Sequence, residues 1–377
     1  MTIKNVFSIS IIISIMVLFI VLSGCVEEPE KEKTVNIGGI LPLTGDLGVY
    51  GQNVKDGAEL AVEEINAAGG INEKQIIFTC DDNRGEAADT VSALHKLADM
   101  DKAPVILGAV VSTNTLAIAP LAQEKEVVLI SISTSPKLSQ WQDGYFFRVL
   151  VSDSFQGKVM AQLARDLGYT EMGVMYINNE YGVGLKDVFV DEFEALGGTV
   201  LIQVPHDESR TDFRSELTNL KAEHPPAVML VSYVKEASII FKQSTELGLE
   251  TQWLCSETHK SDKFIELVGD AAEGILITYP ATDPKYSNFK ADYNAKYHKD
   301  PGIYAAEGYD MIKTIAMAME QAGSTTNATA IKSAMRQIDY NGPSGHKVFD
   351  EFGDVPGVYD VWTITNGTFE LYDVSFS

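Results

Sequence analysis

The chain is predicted to be an α/β protein built from two doubly wound units, on three observations. Short apolar runs bounded by Gly, Pro, Asn and Asp alternate with segments of helical periodicity. The alternation starts near Thr34 and begins again after Phe146-Phe147-Arg148. The stretch from Thr34 to Ser377, about 344 residues, exceeds what a single core ordinarily holds. Val35–Leu41 reads as the first strand, and Gly51–Ala67 carries apolar residues at helical spacing until Gly69-Gly70 stops it. Gln75–Cys80 (strand), Glu86–Met100 (helix), Val105–Leu107 (strand), Thr115–Glu124 (helix) and Val127–Ile130 (strand) complete the first series. Strand–helix alternation of this kind implies a parallel sheet with helices on its faces.

The second series runs through helix Phe155–Leu167, strand Met172–Ile177, helix Gly182–Ala195, strand Thr199–Val204 and helix Asp212–Glu223. Strand Ala227–Val231, helix Glu236–Leu247 and strand Gln252–Cys255 follow. Helices near Ser287–Tyr297, Ala305–Gln321 and Ile331–Gln337 come next, then strand-like Lys347–Phe349 and Val358–Thr365. Two similar units leave a cleft between them, and open parallel sheets place ligands beyond the C-terminal ends of their strands. That is where Ser, Thr, Gly and Tyr concentrate in this sequence.

Ahead of the first strand, Lys4 precedes an apolar run from Val6 to Leu22 that matches a signal-peptide core, with an uncleaved signal anchor as the other reading. Both export the chain, with the N-terminus left inside. Leu22-Ser23-Gly24-Cys25 resembles a lipobox, in which the Cys25 thiol takes a lipid. Residues 1–24 are thus expected to be a signal peptide, and 25–33 a charged, flexible tether holding the protein to the outer face of the membrane.

A net charge of −24 argues against nucleic acid, because neutralising phosphates requires clustered Lys and Arg. It also keeps the body off an anionic membrane surface, leaving the tether to hold it there. Cys80 and Cys255 fall in different series and are read as unpaired strand-end residues. The six histidines lack metal-ligand spacing, so no metal is expected. No cofactor motif occurs: Gly38-Gly39 lacks dinucleotide-site spacing, and neither a GxSxG nor a Walker loop is present. Asp81-Asp82 are adjacent on a strand end and point to opposite faces, so they are assigned to local backbone contacts rather than to catalysis.

Several segments carry a family resemblance. Ile37–Gly51, with its Gly-Gly and Pro-Leu-Thr-Gly, is followed by Gly57-Ala58-Glu59-Leu60-Ala61 and Ile65–Ile71. Further on come Cys80-Asp81-Asp82, Ile106–Thr113, Ser131–Pro136, Glu180–Gly184 and Gly269–Gly274. Together they resemble the branched-chain amino-acid binding proteins of ABC transporters, type I periplasmic binding proteins, over nearly all of Thr34–Thr365. The resemblance implies two discontinuous lobes, 34–152 plus 280–350 and 153–279 plus 351–377, joined by a three-segment hinge. It implies a monomer that closes on an amino acid, leucine-, isoleucine- or valine-like, and presents it to ABC permease subunits, without catalysis. An amide, urea or aromatic-acid carrier and a ligand-sensing receptor module share the fold and are the alternatives.

An amino acid asks its site for oriented donors, a carboxylate acceptor and an apolar or aromatic wall. Ser112 and Thr113 precede a helix whose free N–H groups favour an anion, and from the local pattern alone either is equally a plain helix cap. The resemblance implies that Ser112 donates to the ligand carboxylate. It implies that Ser133 and Thr134, in the next strand-to-helix turn, bind carboxylate and ammonium, although Ser131-Ile132-Ser133 is one residue shorter than the family pattern. Glu257 matches the family acid that pairs with the ammonium, a solvated loop glutamate being the bland reading. Tyr50, Tyr181 and Tyr233 match wall positions. Tyr309, within Glu307-Gly308-Tyr309-Asp310, is a further candidate on a helix that equally suits the core.

Overall fold

The computed structural model describes Lys33–Asp373. Cys25, the expected signal peptide and nearly all of the expected tether lie outside the described residues. In the first layer, β1 (Thr34–Leu41), β2 (Gln75–Asp82), β3 (Val105–Gly108), β4 (Val128–Ser131) and β5 (Phe146–Arg148) form one sheet in the order β2-β1-β3-β4-β5. The pairs β1/β3, β3/β4 and β4/β5 are parallel. Helices α1 (Gly48–Ala67), α2 (Ala87–His95) and α3 (Ser112–Glu124) connect its strands. The helix expected over Glu86–Met100 is α2 followed by a wider π-helical turn at Lys96–Met100.

The second layer begins with α4 (Asp153–Asp166). It continues through β6 (Glu171–Ile177), α5 (Glu180–Ala195), β7 (Thr199–His206), α6 (Arg214–Ala222) and β8 (Ala227–Val231). Then come α7 (Val234–Glu246), β9 (Gln252–Cys255), α8 (Asp262–Val268) and β10 (Leu276–Pro280). Strands β7-β6-β8-β9-β10 run parallel in that spatial order, repeating the winding of the first sheet. Strand order therefore reverses between β1 and β3 in one sheet and between β6 and β8 in the other, and each reversal opens a crevice at the strand C-termini.

After β10 the chain returns to the first layer as α9 (Tyr286–Tyr297), α10 (Ala305–Gln321) and α11 (Ala328–Met335), with α10 packed along α1. A two-strand ribbon, β11 (Asp339–Gly342) with β12 (Gly345–Val348), follows. The chain then crosses again to add β13 (Tyr359–Thr365) and β14 (Thr368–Leu371) to the second sheet. These last two strands are antiparallel, β13 beside β10, where the alternation alone predicts a parallel sheet. A tight turn at Asn366-Gly367, both at positive φ, joins β13 to β14 and leaves no length for a crossover helix, so the pair can only be antiparallel.

The chain passes between layers after Arg148, after Pro280 and after Val348. Arg148, wholly buried, ties the first passage to the third: its Nε donates to Asp354 Oδ1 at 2.7 Å and Nη2 to Oδ2 at 2.8 Å, a two-point ion pair. Cys80 lies on β2 and Cys255 on β9, in different sheets, and both are free thiols. Among the described residues no helix is long and apolar enough to cross a membrane.

Candidate functional site

The switch-point crevices of the two sheets face one pocket, lined by Tyr50, Ser112, Thr134, Tyr181, Tyr233 and Glu257 from the sequence reading. Val110, Val111, Ile132, Thr258 and Tyr304 complete the lining. Its empty space is about 360 Å³, including the part open to solvent.

Ser112 is the first residue of α3, and the cap position before it is Val111, whose side chain makes no capping hydrogen bond. The cap reading of Ser112 and Thr113 therefore does not describe this helix. Its first N–H groups have no side chain of their own to satisfy them, which suits the site to an anion. The Ser112 hydroxyl accepts from Ser135 N at 3.3 Å. Thr113, one residue on, is exposed and outside the lining: its Oγ1 accepts from Glu180 N at 3.4 Å, at the start of α5.

Ser133 does not reach the pocket either. Its Oγ lies 2.7 Å from Thr115 Oγ1 and donates toward Ala109 O at 2.9 Å, while its N–H donates to Ser131 Oγ. The hydroxyl thus secures the end of β3. Thr134 follows it into the lining, and the Thr134 carbonyl accepts from Asp153 N at 2.9 Å.

Four tyrosines wall the pocket. Tyr181 and Tyr233 stack with ring centres 5.8 Å apart, and Tyr50 lies 6.0 Å from Tyr233 and 5.8 Å from Tyr304. Tyr50 comes from the first layer, yet its hydroxyl accepts from Val234 N at 3.1 Å, across to the first residue of α7. Tyr181 Oη donates within 3.1 Å of both Glu257 oxygens, and Tyr304 Oη lies 3.3 Å from Oε1. Burial pushes the Tyr181 and Tyr304 phenols well above their ordinary range, and the Glu257 charge adds to it, so both remain donors at neutral pH.

Glu257 follows β9 in a 3₁₀ turn and is 2% exposed, which removes the solvated-loop reading. Burial raises its pKa, against the Gln156, Tyr181 and Tyr304 side chains that favour the charged form. No cation lies within ion-pair distance of it among the described residues. Asp153, at the start of α4, is also wholly buried, and neither of its oxygens has a hydrogen-bond partner. Its pKa is raised well above the carboxylate range by burial and by Glu257, against the nearby Thr134 hydroxyl and Arg148. A buried Glu257 without a cation makes this end of the pocket suited to a positive group, as the α3 terminus suits a negative one.

Tyr304 was not among the sequence candidates, and Tyr309, which was, lies elsewhere: its hydroxyl donates to Glu64 Oε2 at 2.6 Å, against α1. Tyr304 is the residue before α10 and takes a left-handed conformation, φ +68°. A bulky side chain at positive φ is a strained arrangement of the kind that gathers at binding sites. The only sequence signal is its place just ahead of a helix start, after Pro301-Gly302. Val110, Val111 and Ile132 supply an apolar floor and read in the sequence simply as strand-end core. Asp81 and Asp82 stay away from the pocket: Asp81 pairs with Lys96, while Asp82 accepts from Leu43 N and Arg84 N.

A pocket at the paired switch points of two like-wound sheets, lined by an uncapped helix start and by a buried acid, has the geometry of a solute-binding protein. The chain belongs to the periplasmic binding protein family, which matches residues 34–367. That family is one of periplasmic, extracytoplasmic proteins that bind solutes and are not enzymes. The leucine-, isoleucine-, valine-, threonine- and alanine-binding protein of Pseudomonas aeruginosa is 26% identical over 85% of this chain and 87% of its own length. A leucine binding protein of Thermotoga maritima superposes with a TM-score of 0.85 at 31% identity, over 90% of this chain and 98% of that one. The branched-chain amino acid transporter substrate binding protein of Streptococcus pneumoniae, solved with isoleucine, gives 0.82 at 28% identity, over 90% and 99%.

Proposed function

We propose that the protein captures an α-amino acid with a branched-chain or similarly apolar side chain and delivers it to an ABC permease. The observation that carries this reading is Glu257, a buried carboxylate without a cation, facing the uncapped start of α3 across a tyrosine-walled pocket. Ligand ammonium sits at Glu257. The ligand carboxylate takes the α3 N–H groups with the Ser112 and Thr134 hydroxyls, and the aliphatic side chain packs on Tyr50, Tyr181, Tyr233 and Tyr304. Ser133 and Thr113 act from outside this lining, the first by holding the end of β3 and the second at the rim where α3 meets α5. The relatives named for leucine, isoleucine and valine support this choice of ligand. A plain aromatic acid brings neither a cation nor an N–H donor to this buried carboxylate.

Two lobes, 34–152 plus 280–350 and 153–279 plus 351–377, close around the ligand by bending at the three passages. A lipid on Cys25 tethers this monomer to the outer face of the membrane and raises its concentration near the permease. Calorimetric titration of the unfolded and refolded protein with leucine, isoleucine and valine is expected to give one tight site for at least one of them; absence of heat with all three rejects the ligand assignment. Cys25→Ser is expected to release the protein from the membrane fraction with ligand affinity unchanged.

A further inference from the structure

The ring of Tyr304 also lines a second cavity, of about 1000 Å³ including the part open to solvent. Two of the segments that line the first pocket also line this one, each three residues further along. Glu257 faces the first pocket and Lys260 the second; Tyr304 borders both, and Glu307 faces the second. Lys260 Nζ sits in an aromatic cage from the second sheet, 4.0 Å from the ring centre of Trp362, 4.7 Å from Tyr279 and 5.6 Å from Phe369. It has no hydrogen-bond or ion-pair partner among the described residues. Glu307, on α10, is 4% exposed and likewise has no cation within ion-pair distance. Burial pushes its carboxyl up to about 7, against the pull of Lys347 and Lys260.

Lys260 feels the charges of Asp262, Glu307 and Asp360, and Glu307 those of Lys347 and Lys260, yet none of these lies within ion-pair distance of either among the described residues. Two opposite, largely desolvated charges on facing walls of an aromatic cavity are each costly alone, and a molecule carrying both complementary charges offsets both at once. Of the other charged residues lining the cavity, Lys290 and Asp300 pair with one another at 2.7 Å and are exposed, and Asp262 is exposed to solvent. We propose that this cavity is a second small-molecule site, for a zwitterionic α-amino acid with an apolar or aromatic side chain, its carboxylate at Lys260 and its ammonium at Glu307. The cage that holds Lys260 also supplies the flat surfaces on which such a side chain packs. The inference does not depend on which ligand occupies the first pocket.

Equilibrium dialysis of the full-length protein against labelled L-leucine and L-phenylalanine, up to about 10 mM, tests it. For at least one of the two probes a second, weaker equivalent per chain is expected. Lys260→Met and Glu307→Gln should each weaken that equivalent at least about tenfold and leave the tighter one in place, while Glu257→Gln does the reverse. Two variants on opposite walls keep the test decisive if one fails to fold. Phenylacetate and phenethylamine, each lacking one of the charges, should bind the second site at least about tenfold more weakly than phenylalanine. A single equivalent for both probes across the range overturns the proposal, as does a second equivalent indifferent to Lys260→Met and Glu307→Gln, or phenylacetate binding as well as phenylalanine. Loss of tight amino-acid binding with the weaker equivalent intact would instead count against the reading of the first pocket alone.

Discussion

Glu257 is held by two phenol hydroxyls and by no positive group, so the free protein carries an electrostatic debt that an ammonium settles. Removing one member of such a buried charge pair typically costs about 2–5 kcal/mol, so Glu257→Gln should weaken the best-bound amino acid about 30-fold or more in calorimetric titration. The pH dependence has a definite sign. Burial raises the Glu257 pKa, and only the ionised form attracts an ammonium, so wild-type affinity should fall as pH drops through that raised value. In Glu257→Gln the profile over the same range should be flat; a flat wild-type profile would mean that no ammonium is read there. Glu257, Ser112, Thr134 and three of the lining tyrosines were legible through the family resemblance together with their places after strands that the sequence marks clearly, since motif spacing and position after a strand end are local properties. Tyr304 was not legible, since nothing local says that the residue ahead of α10 turns to the pocket while Tyr309, more than one turn on, faces α1.

Among elements, the α1–α10 contact decides where Tyr50 and Tyr304 stand relative to one another. The helices meet at glycines: a Cβ on Gly57 would lie 1.8 Å from Ala305 O, and one on Gly308 would lie 2.1 Å from Val54 O. Backbone, rather than a flexible side chain, fills the space, so Gly308→Ala must push the helices apart. Overpacking of this kind costs about 1–3 kcal/mol or more, and the expected result is a lower urea midpoint together with weaker ligand binding. A variant of wild-type stability and affinity would show that the crossing is not what sets the tyrosines. The long amphipathic helices and buried parallel strands were readable from periodicity, with ends displaced by a few residues. Strand β10 carries a weaker strand signal because Thr278 interrupts its apolar run and Pro280 closes it, and α8, of seven residues, spans only about two turns. Strand β14 was missed for a different reason: it is mostly exposed and carries little apolar signal.

At the scale of the molecule, Arg148 and Asp354 join the first and third passages between layers through a buried guanidinium. Deleting the acid leaves that charge without its partner, and breaking a buried pair in this way costs about 3–5 kcal/mol. Asp354→Ala should therefore lower the unfolding free energy by about 3 kcal/mol, read from the shift in urea midpoint, and a change under about 0.5 kcal/mol would deny the pair its role. The sequence by itself determined the α/β class, the two successive series of elements, the family and most of the polar residues at the strand ends, because periodicity, turn chemistry and motif spacing are written within a few residues of one another. Only the tertiary structure decided the strand order within each sheet and the antiparallel close of the second. It alone placed Tyr304 in the wall, left α3 uncapped toward the pocket and set Lys260 opposite Glu307. Each of these depends on contacts between residues tens to hundreds of positions apart, where packing and desolvation act and local sequence carries no signal.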